Sequence, residues 1–192
     1  MNAELADTFF HWYTPQPGDT VLEVGAGAGG ETNELASMVA PGFVLAVEAN
    51  PTAFALLSVR CADNVSCVHA AALDFQGEAQ ITDDPLDLLR NKIVTGEHDS
   101  VTVAAVTLDA LCADVDSVGF LKMNIEGSEA RALHGATETL KRTRNVCVSC
   151  HDFLGMATKQ DVSILLIAAG FTIGVRANAP DSCRADYVYG RR

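Results

Sequence analysis

The sequence predicts a doubly wound α/β domain on a mostly parallel seven-stranded sheet with an antiparallel edge hairpin. Three observations predict it. Short apolar runs alternate with helical segments from residue 20 to 169, as in a parallel sheet whose crossovers are helices. The runs Val21-Leu22-Glu23-Val24 and Val44-Leu45-Ala46-Val47-Glu48 are continuous rather than alternating and end in glycine or polar residues, as buried parallel strands do where they open into a ligand crevice. Residues 171–176 and 185–190 then close the chain as a hairpin, which reverses one strand at the edge.

Element by element, residues 3–13 carry Leu5, Phe9, Phe10 and Trp12 behind an acidic start, a helix ending at the turn Pro15-Gln16-Pro17-Gly18-Asp19. This cap, residues 1–17, is expected over the sheet edge or the ligand mouth. Strand one is 20–24, a helix spans about 30–40, and strand two is 43–48. Pro51 opens a helix to about 64, since proline suits a first helical turn. Strand three is about 65–70, and Asp74-Phe75-Gln76-Gly77-Glu78 turns into an extended piece at 79–82. That piece pairs antiparallel with the β-branched run 101–106, so residues 76–107 form an inserted ribbon, with an excursion at 83–100 that has room for one short helix. A short helix at 108–113 leads to strand four at 119–124. A helix at 127–142, strand five at 145–150 and a helix at 158–169 complete the alternation.

A length of 192 residues suits one domain. The formal charge of −12, from 13 Lys and Arg against 25 Asp and Glu, argues against a nucleic-acid partner, which needs a basic face to track phosphates. Met1-Asn2-Ala3-Glu4-Leu5-Ala6-Asp7 lacks the basic start and apolar core of a secretion signal, and no run approaches the roughly 20 apolar residues of a membrane span. A cytoplasmic protein without membrane attachment is expected; oligomeric state is open. Among six cysteines, Cys147 and Cys150 have C-x-x-C spacing but lie in a strand-like run that places them on opposite faces, a poor geometry for one metal. Reduced, mostly buried thiols are expected.

The glycines after strand one let the backbone approach a ligand. Glu48 ends strand two near the roughly 20-residue interval at which an acid takes ribose hydroxyls, so the pair reads as a nucleoside site. Gly25-x-Gly27-x-Gly29 and the dinucleotide pattern through Gly25, Gly27 and Gly30 both fit. Glu23 tilts the choice, because a carboxylate there suits a cationic amino-acid moiety and repels a pyrophosphate. S-adenosylmethionine is therefore preferred to a nicotinamide dinucleotide.

Four blocks carry a resemblance: residues 21–29, Val47-Glu48-Ala49-Asn50-Pro51, Thr107-Leu108-Asp109-Ala110-Leu111, and Phe120-Leu121-Lys122-Met123-Asn124-Ile125-Glu126-Gly127-Ser128-Glu129. With the terminal Tyr187-Val188-Tyr189-Gly190-Arg191-Arg192 they resemble the FkbM family of class I S-adenosylmethionine-dependent methyltransferases, over roughly residues 18–192. The resemblance implies a Rossmann-like methyltransferase domain acting on hydroxyl oxygens, often of sugars or natural products. It places the methionine part of S-adenosyl-L-methionine along Gly25, Ala26 and Gly27, beside Gly29, with Glu23 near its ammonium, directly or through water. Glu48 then accepts both ribose hydroxyls, Ala49 or Asn50 flanks adenine, and Ala70 and Ala71 touch the ring. The family pattern L-K-x-D-x-E-G-x-E has Asn124 here at its Asp, and Ser149 stands where an acid is common before the strand-five histidine.

At the ends of strands four and five, Asn124, Glu126, His151 and Asp152 are expected to meet above the cofactor sulfur. An alcohol must lose its proton as it takes a methyl group. His151 is the candidate general base, with an ordinary pKa near 6.5; Asp152 orients it or binds substrate, and Glu126 completes the catalytic set. The same four residues offer oxygen ligands for Mg²⁺, but with an amide in place of one carboxylate a metal-free pocket is favoured. Glu126 and Glu129 also suit a helix dipole, and Lys122 reads as structural. Two further readings stay open: a non-catalytic adenosyl-binding protein and an NAD-dependent oxidoreductase.

Overall fold

A computed structural model describes residues 3–84, 91–96, 100–155, 157–176 and 178–192. Its strands are β1 (Thr20–Val24), β2 (Phe43–Glu48), β3 (Val65–His69), β4 (Ala71–Ala72), β5 (Gly77–Thr82), β6 (Ile93–Val94), β7 (Ser100–Val106), β8 (Val118–Met123), β9 (Thr143–Ser149), β10 (Thr172–Val175) and β11 (Tyr187–Arg191). The helices are α1 (Ala3–Asp7), α2 (Thr32–Val39), α3 (Pro51–Ser58), α4 (Leu108–Leu111), α5 (Glu129–His134), α6 (Thr137–Lys141), α7 (Lys159–Ala168) and α8 (Ser182–Ala185). Seven strands form the central sheet in the order β10-β11-β9-β8-β1-β2-β3, and β4-β7-β5-β6 form a second sheet. β11 runs antiparallel to both β9 and β10, so the terminal hairpin makes the edge, with β10 outermost.

Register explains the continuous apolar runs. Leu22 lies opposite Leu45 and Leu121, and Val24 opposite Val47 and Met123; these side chains share one core with Leu108, Leu133, Leu140 and Leu166 from the helices of that face. The intervening residues Val21, Val44, Ala46 and Phe120 point the other way, into a core with Leu5, Phe9, Leu35 and Leu57. Helices thus cover both faces. The chain leaves β1 toward β2 and leaves β8 toward β9, in opposite directions, which opens a crevice at the carboxyl ends of β1 and β8. Cys147 falls in one core and Cys150 in the other.

Two expected elements differ. The amino-terminal helix is only Ala3–Asp7, because the adjacent Phe9 and Phe10 both turn inward, onto Tyr187 and Phe120. This segment covers a face of the sheet at β8, β9 and β11 and reaches the edge strand, where Trp12 lies against Gly174 of β10 and Asp7 pairs with Arg176. The helix expected over 127–142 is two helices, α5 and α6, broken at Gly135-Ala136. A Cβ on Gly135 would stand 2.2 Å from the Leu73 carbonyl oxygen, and the Asp109 carboxylate caps the second helix through the N–H groups of Glu138 and Thr139. In the 76–107 insertion β5 pairs antiparallel with β7 as expected. The short helix expected in the excursion falls on residues 85–90 and 97–99, which lie outside the described residues; the described part holds β6.

Candidate functional site

A cavity of about 660 Å³, counting the part open to solvent, lies at the switch point between β1 and β8. Gly25, Gly27, Glu48 and Ala49 form one wall, Ala70, Ala71 and Ala72 the next, and Asn124, Ile125, Glu126 and Ser128 the far end. Ile81, Asn91, Lys92 and Ile93 of the second sheet complete the lining. Gly25 is the tightest point: its φ is +82°, and a Cβ would stand 1.9 Å from the Asn124 carbonyl oxygen. Only glycine lets the loop cross there.

Glu48 ties the two loops of the mouth together. Gly27 N donates to its Oε2 and Asn50 N to its Oε1, both at 2.7 Å. Burial pushes its carboxyl pKa up, and these N–H donors work against that shift. Each oxygen uses one acceptor position in this clasp and keeps another for a second donor.

Other expected cofactor residues stand elsewhere. Glu23 is fully buried beneath the loop, 3.1 Å from Lys122 Nζ, and accepts a 2.7 Å bond from Thr32 Oγ1. Lys122 also reaches Glu31 at 2.8 Å and lies over the Phe9 ring. Burial alone would favour a neutral amine, but two carboxylates face one ammonium, so the ion pair prevails and Lys122 is held above the usual lysine range. Glu23 is therefore not among the residues that line the cavity: alternation along β1 sends it to the opposite face from Val24. Ala26 packs into the α2-side core. Gly29 abuts Leu57. Asn50 faces α3, where its Oδ1 accepts from Ala53 N.

At the far end, His151 sits between two glutamates. Its Nδ1 is 2.7 Å from Glu129 Oε1 and its Nε2 is 3.2 Å from Glu126 Oε1. Burial disfavours the charged ring, but the bonds and charges of Glu126 and Glu129 outweigh it and carry the pKa up to about 9. Both ring nitrogens of the histidine expected as general base thus face carboxylates. Asp152 does not join the group, since its Oδ1 accepts from Lys159 N at 2.9 Å. The four residues proposed for Mg²⁺ are thus not assembled as a ligand set, and among the described residues no group of three or more His, Cys, Asp or Glu is arranged to hold a metal ion.

Asn91, Lys92 and Ile93 belong to the 83–100 excursion, which its length marked as a part of the chain that shapes the pocket. Ile81, Ser128 and Glu129 were not singled out as site residues; the one signal for Glu129 was its one-turn spacing from Glu126.

A family model described as Methyltransferase FkbM domain matches residues 23–171. No curated protein sequence matches the chain. Fibrillarin of Aeropyrum pernix, solved with natively bound S-adenosyl-L-methionine, is 15% identical with a TM-score of 0.57, covering 97% of this chain and 74% of its own. A SAM dependent methyltransferase from Aquifex aeolicus is 15% identical with a TM-score of 0.54 and coverages of 99% and 92%. Precorrin-6y C5,15-methyltransferase of Geobacter metallireducens is 13% identical with a TM-score of 0.53 and coverages of 91% and 80%. These likenesses establish the fold.

Proposed function

The chain belongs to the FkbM methyltransferase domain family, and from that premise we propose that it moves a methyl group from S-adenosyl-L-methionine to a hydroxyl oxygen of a small molecule or saccharide. One observation carries the cofactor assignment: the Glu48 carboxylate is fixed on the cavity wall by the N–H groups of Gly27 and Asn50, with acceptor capacity left over. That pair of acceptor oxygens suits the two hydroxyl donors of a ribose diol. Gly25 and Gly27 leave the strip of wall where a bulky amino-acid portion fits, and Ala49, Ala70 and Ala71 offer a smooth apolar surface for adenine. When bound, the sulfonium supplies an activated methyl group for in-line displacement at about 3 Å, so holding the acceptor in place is much of the catalysis.

The acceptor class rests on charge. A protein with net charge −12 and a carboxylate at the far end of its cavity supports an uncharged hydroxyl over a polyphosphate chain. Calorimetric titration with S-adenosylmethionine and S-adenosylhomocysteine tests the reading, and Glu48→Ala should abolish most of the heat. Stabilisation by NAD⁺ but by neither of these would overturn it. Binding without transfer to any of a panel of hydroxylated acceptors would favour a non-catalytic adenosyl-binding protein.

A further inference from the structure

Glu126 stands out on its backbone alone. Its φ is +51°, a conformation that costs a residue with a side chain about 1–3 kcal/mol and that clusters where surrounding structure imposes it for function. Here Asn124 N is held by the Val24 carbonyl and Ser128 N by the Ile125 carbonyl, and the turn between them puts Glu126 on the cavity wall. Behind it is His151, and behind His151 is Glu129, whose Oε1 also accepts from Gly127 N at 3.0 Å. Glu129 is completely buried, and its Oε2 has no hydrogen-bond partner. Its charge is directed at the ring and at the loop that carries Glu126.

Resting on the methyl-transfer reading above, we infer that Glu126 takes the proton of the acceptor hydroxyl, with His151 and Glu129 as positioning residues that hold its carboxylate against the cavity. Of the three groups, only Glu126 lines the cavity. An imidazolium with both nitrogens donating to carboxylates has no lone pair with which to take a proton. The step balances simply. The acceptor O–H bond breaks and its proton goes to Glu126, while the oxygen electron pair forms the bond to the methyl carbon. The carbon–sulfur bond breaks with its pair going to sulfur, and Glu126 later releases the proton to water.

The remaining charged or titratable groups nearby do not compete for this role. Asp152 is bonded to Lys159 N, Asp186 lies 3.8 Å from Lys159 Nζ, and burial pushes the thiols of Cys150 and Cys183 up.

The test uses the full chain with Glu126→Gln, Glu126→Asp and Glu129→Gln, and three readouts. Ring ¹⁵N shifts of His151 need no acceptor: in the wild type both nitrogens should be protonated at pH 7.5, and either glutamine variant should lower the midpoint by about one to two pH units. A neutral ring at pH 7.5, or a midpoint unmoved in both variants, overturns the inference. With methyl-labelled donor and a panel of monosaccharides and polyols, Glu126→Gln should lower kcat about 10²–10⁴-fold, Glu126→Asp should recover part of it, and Glu129→Gln should lower kcat with little change in donor KM. An unchanged rate in Glu126→Gln overturns the inference. Calorimetry with S-adenosylhomocysteine separates the two readings: no heat in the wild type removes the methyl-transfer reading, whereas normal heat with an unmoved ring or rate removes only the assignment to Glu126. Should the panel hold no acceptor, the ring titration alone decides.

Discussion

Replacing Glu48 by glutamine changes one atom, yet the clasp it makes predicts a measurable loss. The carboxylate accepts from two backbone N–H groups at 2.7 Å, and glutamine offers one carbonyl oxygen and one NH₂. Either Gly27 N or Asn50 N then faces a donor. A charge-assisted bond is worth about 1.5–3 kcal/mol, and orphaning a buried N–H adds its desolvation. Part of this is offset. Burial pushes the Glu48 pKa up, so its contribution to stability is present below the unfolded value near 4.3 and is lost as pH rises through the folded value. At neutral pH glutamine removes that cost of burying a charge. The net loss should be about 1–2 kcal/mol for Glu48→Gln and about 3 kcal/mol for Glu48→Ala, which orphans both donors. Urea unfolding at pH 7.5 without ligand reads both values. The same variants should bind S-adenosylhomocysteine about tenfold or more weakly, because Glu48→Gln loses an acceptor for the diol. A Glu48→Gln protein as stable as the wild type, with affinity within about twofold, would refute the clasp.

Three further outcomes follow from the same geometry. His151 has its pKa raised to about 9, so its contribution is fully present below about pH 6.5 and lost as pH rises through 9; the stability difference between wild type and His151→Gln should shrink by about 3 kcal/mol across that window, and a flat difference by urea titration would exclude the ion pairing. Lys122→Met leaves Glu23 buried without its counter-charge and should cost about 3–5 kcal/mol, much of it regained in the Glu23→Gln/Lys122→Met double variant; additive losses would refute the coupling. Gly25→Ala drives a methyl into the Asn124 carbonyl at a positive φ and should cost about 2–4 kcal/mol while removing S-adenosylhomocysteine binding; wild-type calorimetry would show that the loop is not so constrained.

Most of the framework was legible because it depends on local pattern. Continuous apolar runs gave away the buried parallel strands, Pro51 after Asn50 marked the start of α3, and the insertion's β-branched run paired with 79–82 as its composition implied. Boundaries failed where a distant contact decided them. Nothing near Gly135 in sequence shows that the Leu73 carbonyl sits against its Cα, so a helix-compatible stretch read as one helix. Adjacent phenylalanines at 9 and 10 likewise gave no hint that both would turn inward onto separate aromatic partners.

The site divides on the same ground, and Glu23 and Glu48 show why. Both are acids near the carboxyl end of neighbouring strands, and spacing alone ranks them alike. Glu48 is the last residue of β2, so its carboxylate meets the backbone N–H groups of the crossing loops. Glu23 lies one residue inside β1, opposite Lys122 in register, where a carboxylate is buried and needs a cation. A lysine that alternates among apolar neighbours on β8 was the visible sign of that partner. The pairing follows from strand order, which a run of residues does not state. His151 obeys the same logic: residue type alone suggests a base at neutral pH, whereas the fold brings Glu126 and Glu129 against its two ring nitrogens, and of these three groups Glu126 is the one that lines the cavity.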